Sequence, residues 1–204
     1  MKKQWVNRLI DELKKPLPGI EAQLRLSPPV RLHNVKTKTP RRSAVLILLY
    51  PKDSKPYIVF IKRGEYKGVH SGQISLPGGM YKKTDRILRQ TALRETMEET
   101  GVIENQVEII GNLTPLHIPI SNFNVYPFVG YCLDRPVFKP DPFEVKYIIE
   151  AALNELLDTE NQKHKLMHIG GNEIEIPYFD LHGDHLWGAT AMIISEFLEV
   201  VKKI

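Results

Sequence analysis

Apolar positions recur along this chain at two periods. A nearly continuous apolar run from Ser43 to Tyr50 predicts a buried strand, and Tyr57 to Lys62 predicts a second. Between them Pro51-Lys52-Asp53-Ser54-Lys55-Pro56 reads as a turn, so the pair predicts a hairpin. Further strands are expected at Val107–Leu113, Val125–Leu133 and Val145–Ala151, followed by a helical turn at Leu153–Leu157. Two short strands flank Gly170-Gly171: Lys165 to Ile169, and Glu173 to Ile176 before Pro177. Helical spacing appears in three places. Trp5, Leu9, Ile10 and Leu13 share one side of a short helix that Pro16 and Pro18 stop. A second helix is expected from Asp85, as its N-terminal cap, to Thr100, with Gly101 as its stop and Leu88, Ala92, Leu93, Thr96 and Met97 as its packing side. A last helix spans Gly188 to Val201. Strands interleaved with helices predict an α/β fold, a mixed sheet with helices on its faces.

The helix from Asp85 carries the chemistry. Glu95, Glu98 and Glu99 lie at i, i+3 and i+4, one turn deep on one face. Alone, such a face reads as solvated. Three crowded carboxylates also repel one another, and a hard divalent cation such as Mg²⁺ or Mn²⁺ relieves that repulsion. Arg94 sits four residues before Glu98 and can orient it by a charged hydrogen bond.

Composition limits the alternatives. The 204 residues suffice for one substantial domain with an added arm, divided here into residues 1–40 (helical arm and linker) and 41–204. The Ala44–Tyr50 run is too short to span a bilayer, and the charged N-terminus shows no leader core, so a cytoplasmic protein without a membrane partner is expected. One cysteine, Cys132, excludes an intramolecular disulfide and reads as a small core residue. The net charge of +4 suits an anionic ligand, but no basic run is interleaved with aromatics, so no nucleic-acid partner is expected. Lys36, Lys38, Arg41 and Arg42 read as a solvated linker or a phosphate-attracting rim.

Taken together, Gly78-Gly79, Asp85, Arg94-Glu95, Glu98-Glu99 and Gly101-Val102 resemble the Nudix box, G-x5-E-x7-R-E-U-x-E-E-x-G-U. Three features depart from it: Asp85 stands where the pattern has glutamate, one extra residue separates Asp85 from Arg94, and Thr96 stands at an aliphatic position. The longer spacing resembles the coenzyme A pyrophosphatase branch of that family. So does the upstream run His70-Ser71-Gly72-Gln73-Ile74-Ser75-Leu76-Pro77-Gly78-Gly79, in which Leu76 replaces phenylalanine, and so does Trp187-Gly188-Ala189-Thr190-Ala191.

The resemblance implies a Nudix fold, an α/β/α sandwich around a mixed β-sheet. It implies Mg²⁺ or Mn²⁺ held by Glu95, Glu98, Glu99 and the carbonyl of Gly79. The substrate would be a small-molecule pyrophosphate met by Arg63, Lys67, His70, Gly72 and Gln73. The catalytic set would be Arg94, Glu95, Glu98 and Glu144, with either Glu144 or Glu95 as general base. Products from coenzyme A would be 3′,5′-adenosine bisphosphate and 4′-phosphopantetheine, or its acyl form. Hydrolysis of ADP-ribose, NADH or nucleotide sugars is an alternative within the family, and a nucleotide-sensing module without catalysis is another. A homodimer is compatible with the resemblance.

Overall fold

A computed structural model describes residues 3–29, 39–64, 72–169 and 171–204. At its centre β1 (Arg41–Lys52) pairs antiparallel with β2 (Lys55–Arg63). The hairpin turn is only Asp53 and Ser54, both at positive φ (49° and 62°), and Pro51 faces Pro56 across the strands. The two prolines thus lie inside the strands and not in the turn. Two short strands follow, β3 (Ile74–Ser75) on β2 and β4 (Gly78–Met80) on the start of β1. Next come β5 (Glu108–Asn112), β6 (Leu116–Ile118), β7 (Phe123–Tyr131) and β8 (Val145–Ala152). Strand β7 runs parallel to β1, carries β5 and β6 on its other edge, and β8 pairs with β2. This makes an eight-stranded mixed sheet.

Strand β1 is buried on both faces, and its side chains divide by parity. Ala44, Leu46, Leu48 and Tyr50 pack with Ala92 and Leu93 of the helix Leu88–Thr100. Ile47 and Leu49, with Ile58 and Phe60 of β2, face the opposite layer. That layer holds the N-terminal helix α1 (Lys3–Leu13), the short α2 (Gly19–Leu24) and the C-terminal helix Gly188–Val201. Numbered in chain order, the helix Leu88–Thr100 is α3, the turn Leu153–Leu157 is α4 and the C-terminal helix is α5. A three-stranded antiparallel sheet, β9 (Gln162–Ile169), β10 (Asn172–Leu181) and β11 (Asp184–Trp187), leads into α5. The architecture is the expected α/β/α sandwich.

Several local expectations need correction. Helix α3 begins at Leu88, with Ile87 in the extended conformation before it, so Asp85 does not cap it. Asp85 closes a 3₁₀ turn at Lys83–Asp85, and Arg86 follows at φ 55°. Met97 is 41% exposed, whereas Thr91, Thr96 and Thr100 take the buried side of α3. Gly101 does stop the helix, at φ 76°. Strand β10 runs through Pro177 to Leu181, and in α1 Val6, not Ile10, joins Leu9 and Leu13 in the core.

One buried carboxylate binds α2 to the rest. Glu196 on α5 is fully buried and accepts from Gly19 N (3.1 Å), Gln23 Nε2 (2.7 Å) and the Thr114 hydroxyl (2.7 Å). Glu196→Ala strands those donors and should lower stability by about 3 kcal/mol. Urea unfolding checks this; a loss below about 1 kcal/mol would mean that water replaces the carboxylate.

Candidate active site

Helix α3 lies against β4 and places its acidic face there. Glu99 is 1% exposed. Its Oε2 accepts from the Gly78 backbone N–H at 2.7 Å, and its Oε1 lies 3.3 Å from an Arg63 guanidinium nitrogen. Arg63 also donates from Nε to Ser75 Oγ (3.1 Å) and from the same terminal nitrogen to the Gly78 carbonyl (3.3 Å). The pairing of β2 with β8 slips at Lys62/Arg63, and such a bulge re-aims the side chain beside it.

Burial pushes the Glu99 carboxyl up to about 7, against the downward pull of Arg63 and the Gly78 N–H; the charges of Glu95 and Glu144 add to the rise. Glu144 itself is exposed. Its carbonyl accepts from Gly64 N at 3.0 Å, which holds its segment against the end of β2.

A second network surrounds Arg94. It grips Asp85 with two hydrogen bonds, Nε to Oδ1 at 2.7 Å and Nη2 to Oδ2 at 3.0 Å. Its Nη1 reaches Glu95 at 2.6 Å and Glu98 at 2.9 Å. Asp85 Oδ2 also accepts from Thr91 Oγ1 (2.9 Å) and Lys82 N (2.8 Å). The Arg94 bond holds the Asp85 carboxyl far below the usual carboxylate range, and Asp85 in turn raises Arg94. Asp85 is therefore a clamp that fixes Arg94. Lys82 stands nearby, 3.9 Å from Glu95 and 3.7 Å from Glu98.

Gly79 lets this face close. A Cβ there would lie 2.5 Å from the Glu95 carboxylate carbon, so a side chain at this position displaces Glu95. The carbonyl beside Glu99 is that of Gly78, through their shared partner Arg63. Among the described residues no three His, Cys, Asp or Glu side chains converge closely enough to hold an ion. The donor set still fits a hard cation. Glu95, Glu98 and Glu99 supply only oxygen, on one rigid helix, beside a glycine pair that leaves room for close approach. Each of the three is now balanced by a cation of the chain itself.

A cavity of about 250 Å³ lies beside Arg63, Gly78 and Gly79, which themselves touch the carboxylates of Glu99 and Glu95. Arg63, Gln73, Ser75, Leu76, Gly78 and Gly79 line it on one side. Ile118, Ser121 and Phe123, from the loop around β6, line the other. Gly72 donates to the Gly64 carbonyl at 3.2 Å. Lys67 and His70 lie outside the described residues, as do Lys36 and Lys38. Arg41 stacks over Phe123 at 4.1 Å and donates to the Ser121 carbonyl, and Arg42 stacks over Tyr81 at 4.2 Å. Ser75 stands in the sequence only within the run that resembles the coenzyme A branch, Ser121 and Phe123 only within a loop, 119–124, that could line the site without an assigned role, and Lys82 carried no signal. Cys132 is buried, with its thiol pushed up to about 11 by desolvation, and is unsuited to nucleophilic work. Trp187 is half-buried at the junction of β11 and α5.

The family model of the NUDIX domain matches residues 40–167. The chain belongs to the Nudix family. "Nudix hydrolase 15, mitochondrial" of Arabidopsis thaliana is 34% identical over 76% of this chain and 56% of the relative. "Uncharacterized Nudix hydrolase NudL" of Yersinia pestis (strain Pestoides F) is 31% identical over 97% of this chain and 96% of the relative. The chain thus spans little more than half of the plant Nudix protein and nearly all of the bacterial one. The crystal structure of a MutT/nudix family protein from Enterococcus faecalis shares the fold, with a TM-score of 0.55 at 18% identity over 92% of this chain and 76% of that one. None of the described helices is long and apolar enough to cross a membrane.

The raised Glu99 carboxyl makes stability depend on pH. Its folded value of about 7 exceeds the ordinary 4.5, so the folded state holds this proton more tightly. That contribution is complete below the ordinary value and is lost as pH rises through about 7. Without added metal, this one group should cost about 2 kcal/mol between pH 5 and pH 8, and Glu99→Gln should flatten the slope. Urea midpoints across that range check it; equal slopes in both proteins would assign the dependence elsewhere.

Proposed function

We propose that this Nudix protein hydrolyses the pyrophosphate bond of coenzyme A or one of its derivatives, using Mg²⁺ or Mn²⁺. Water adds to one phosphorus, the bridging P–O bond breaks, and 3′,5′-adenosine bisphosphate and 4′-phosphopantetheine (or its acyl form) leave. One observation carries the reading. The run that resembles the coenzyme A branch supplies Gln73, Ser75, Leu76, Gly78 and Gly79 to the cavity wall beside Arg63. The last two of these also adjoin the carboxylates of Glu99 and Glu95. The residues that would choose the substrate and those that would cleave it therefore meet at one strand.

Glu95, Glu98 and Glu99 are the side chains that would hold the ion, with a glycine carbonyl beside them, that of Gly79 as the resemblance implies or that of Gly78, which shares Arg63 with Glu99. Bound there, the ion supplies Lewis-acid neutralisation of the phosphate oxygens. Arg94, fixed by Asp85, keeps Glu95 and Glu98 in register along α3. Arg63 offers a guanidinium to a substrate phosphate at the cavity wall. Glu144, exposed and with a charge that reaches Glu99, would take a proton from water on this reading, with Glu95 as the alternative base.

Incubation with coenzyme A, ADP-ribose and NADH, each with Mg²⁺ or Mn²⁺, followed by mass identification of products, tests the substrate. Coenzyme A should yield the two named products fastest. Turnover of another compound with coenzyme A untouched would remove the specificity and keep the hydrolase. No turnover of any would favour a sensing module. Glu98→Gln and Glu99→Gln should each lower turnover by about two orders of magnitude with the fold intact. Unchanged rates in both would sink the metal assignment.

A further inference from the structure

Among the described residues three cations face the α3 carboxylates, and they are held differently. Arg94 is locked by its two bonds to Asp85. Lys82 is half exposed and stands off at 3.7 Å or more. Arg63 is in between. Its Nε rests on Ser75 Oγ, and a single terminal nitrogen is shared between Glu99 Oε1 and the Gly78 carbonyl, 3.3 Å from each. Those two oxygens are hard donors, one of them on the most buried carboxylate of the site. A divalent ion that takes them must contend with a guanidinium already there. Arginine does not lose its proton, so the conflict of charge is permanent, and only movement of the side chain relieves it. Room for movement exists. The Arg63 side chain is 23% exposed and lines the 250 Å³ cavity with Gln73 and Ser75.

We propose that Arg63 competes with the divalent ion for Glu99 and the Gly78 carbonyl, and that an anion in the adjoining cavity relieves the competition by drawing Arg63 to itself. Arg63 then has two exclusive partners, Glu99 or the anion. The anionic substrate and the ion reinforce each other's binding through this one side chain, because whatever removes Arg63 from Glu99 favours the ion there. The coupling is reciprocal. The inference rests on the reading that Glu99 holds the ion.

The test is Mn²⁺ affinity, measured by calorimetry or by the electron paramagnetic resonance of free Mn²⁺, with no substrate present. Arg63→Gln should bind Mn²⁺ about tenfold more tightly than the wild type. It should also be less stable without metal, because Glu99 loses its counter-ion. A residue that merely shaped Glu99 for the metal would give the opposite sign, so equal or weaker Mn²⁺ binding by Arg63→Gln overturns the proposal. Should that variant not fold, Arg63→Lys and Ser75→Ala decide instead. The first replaces the fork of the guanidinium with a single ammonium and the second removes the hydroxyl that anchors Nε, and each should tighten Mn²⁺ binding by a smaller factor; no gain in either overturns the proposal. Failure of the metal reading looks different: wild type and Glu99→Gln would then bind Mn²⁺ equally or not at all.

Discussion

The Glu99 carboxylate sits where little water reaches it, and a charge in such a place must be met by donors the fold supplies. One donor is the Gly78 N–H, from the strand that β1 carries at its start. The other is the Arg63 guanidinium, from the far end of the central hairpin. The carboxylate thereby ties α3, β4 and β2 together at one point. Two donors do not fully offset the loss of hydration, as the raised proton affinity of Glu99 shows. A carboxylate that the fold satisfies only in part is the feature on which the proposed cation site rests.

The extra residue between Asp85 and Arg94 has a conformational explanation. It is not accommodated inside the helix. The chain makes a 3₁₀ turn at Lys83–Asp85, bends at Arg86 with φ 55°, and enters α3 only at Leu88. That bend lets the Asp85 carboxylate face back along the helix to Arg94, with Thr91 as a second donor. Aspartate is short and acts here as a rigid post. Arg94, gripped on one edge, presents its remaining nitrogen to Glu95 and Glu98 with little freedom to wander, so side-chain entropy is already spent before any ligand arrives.

Much of this was legible in the sequence wherever burial follows a period. The hairpin, β7, β8 and α5 are long enough for hydrophobic alternation or helical spacing to declare them, and the i, i+4 spacing of Arg94 and Glu98 placed them in contact. Elements of two to six residues, such as α2, β3, β4 and β6, carry too few positions for any period to show. Prolines misled twice. Pro51 and Pro56 read as turn residues but lie within paired strands, and Pro177 does not end β10. Met97 looked like core by its chemistry, yet small threonines fill that side of α3, because the helix lies close to the sheet. Asp85 had the composition of a cap, and only the bend at Arg86 gave it another role. The aim of Arg63 depends on a slip in strand register, which no local pattern encodes.

Glycines 78 and 79 join two functions that the fold otherwise keeps apart. The carboxylates belong to α3, whereas the cavity wall comes from the segment before β4 and from the loop around β6. Changes at Leu76 or Phe123 alter the wall without touching Glu95 or Glu99. The glycine pair has no such freedom. Gly78 uses its N–H on Glu99 and its carbonyl on Arg63, and Gly79 leaves the space that the Glu95 carboxylate fills. A side chain at Gly79 would press on the Glu95 carboxylate. The acidic face and the cavity wall therefore meet at Arg63 and the glycine pair, on which both the proposed cation site and the proposed choice of substrate rest.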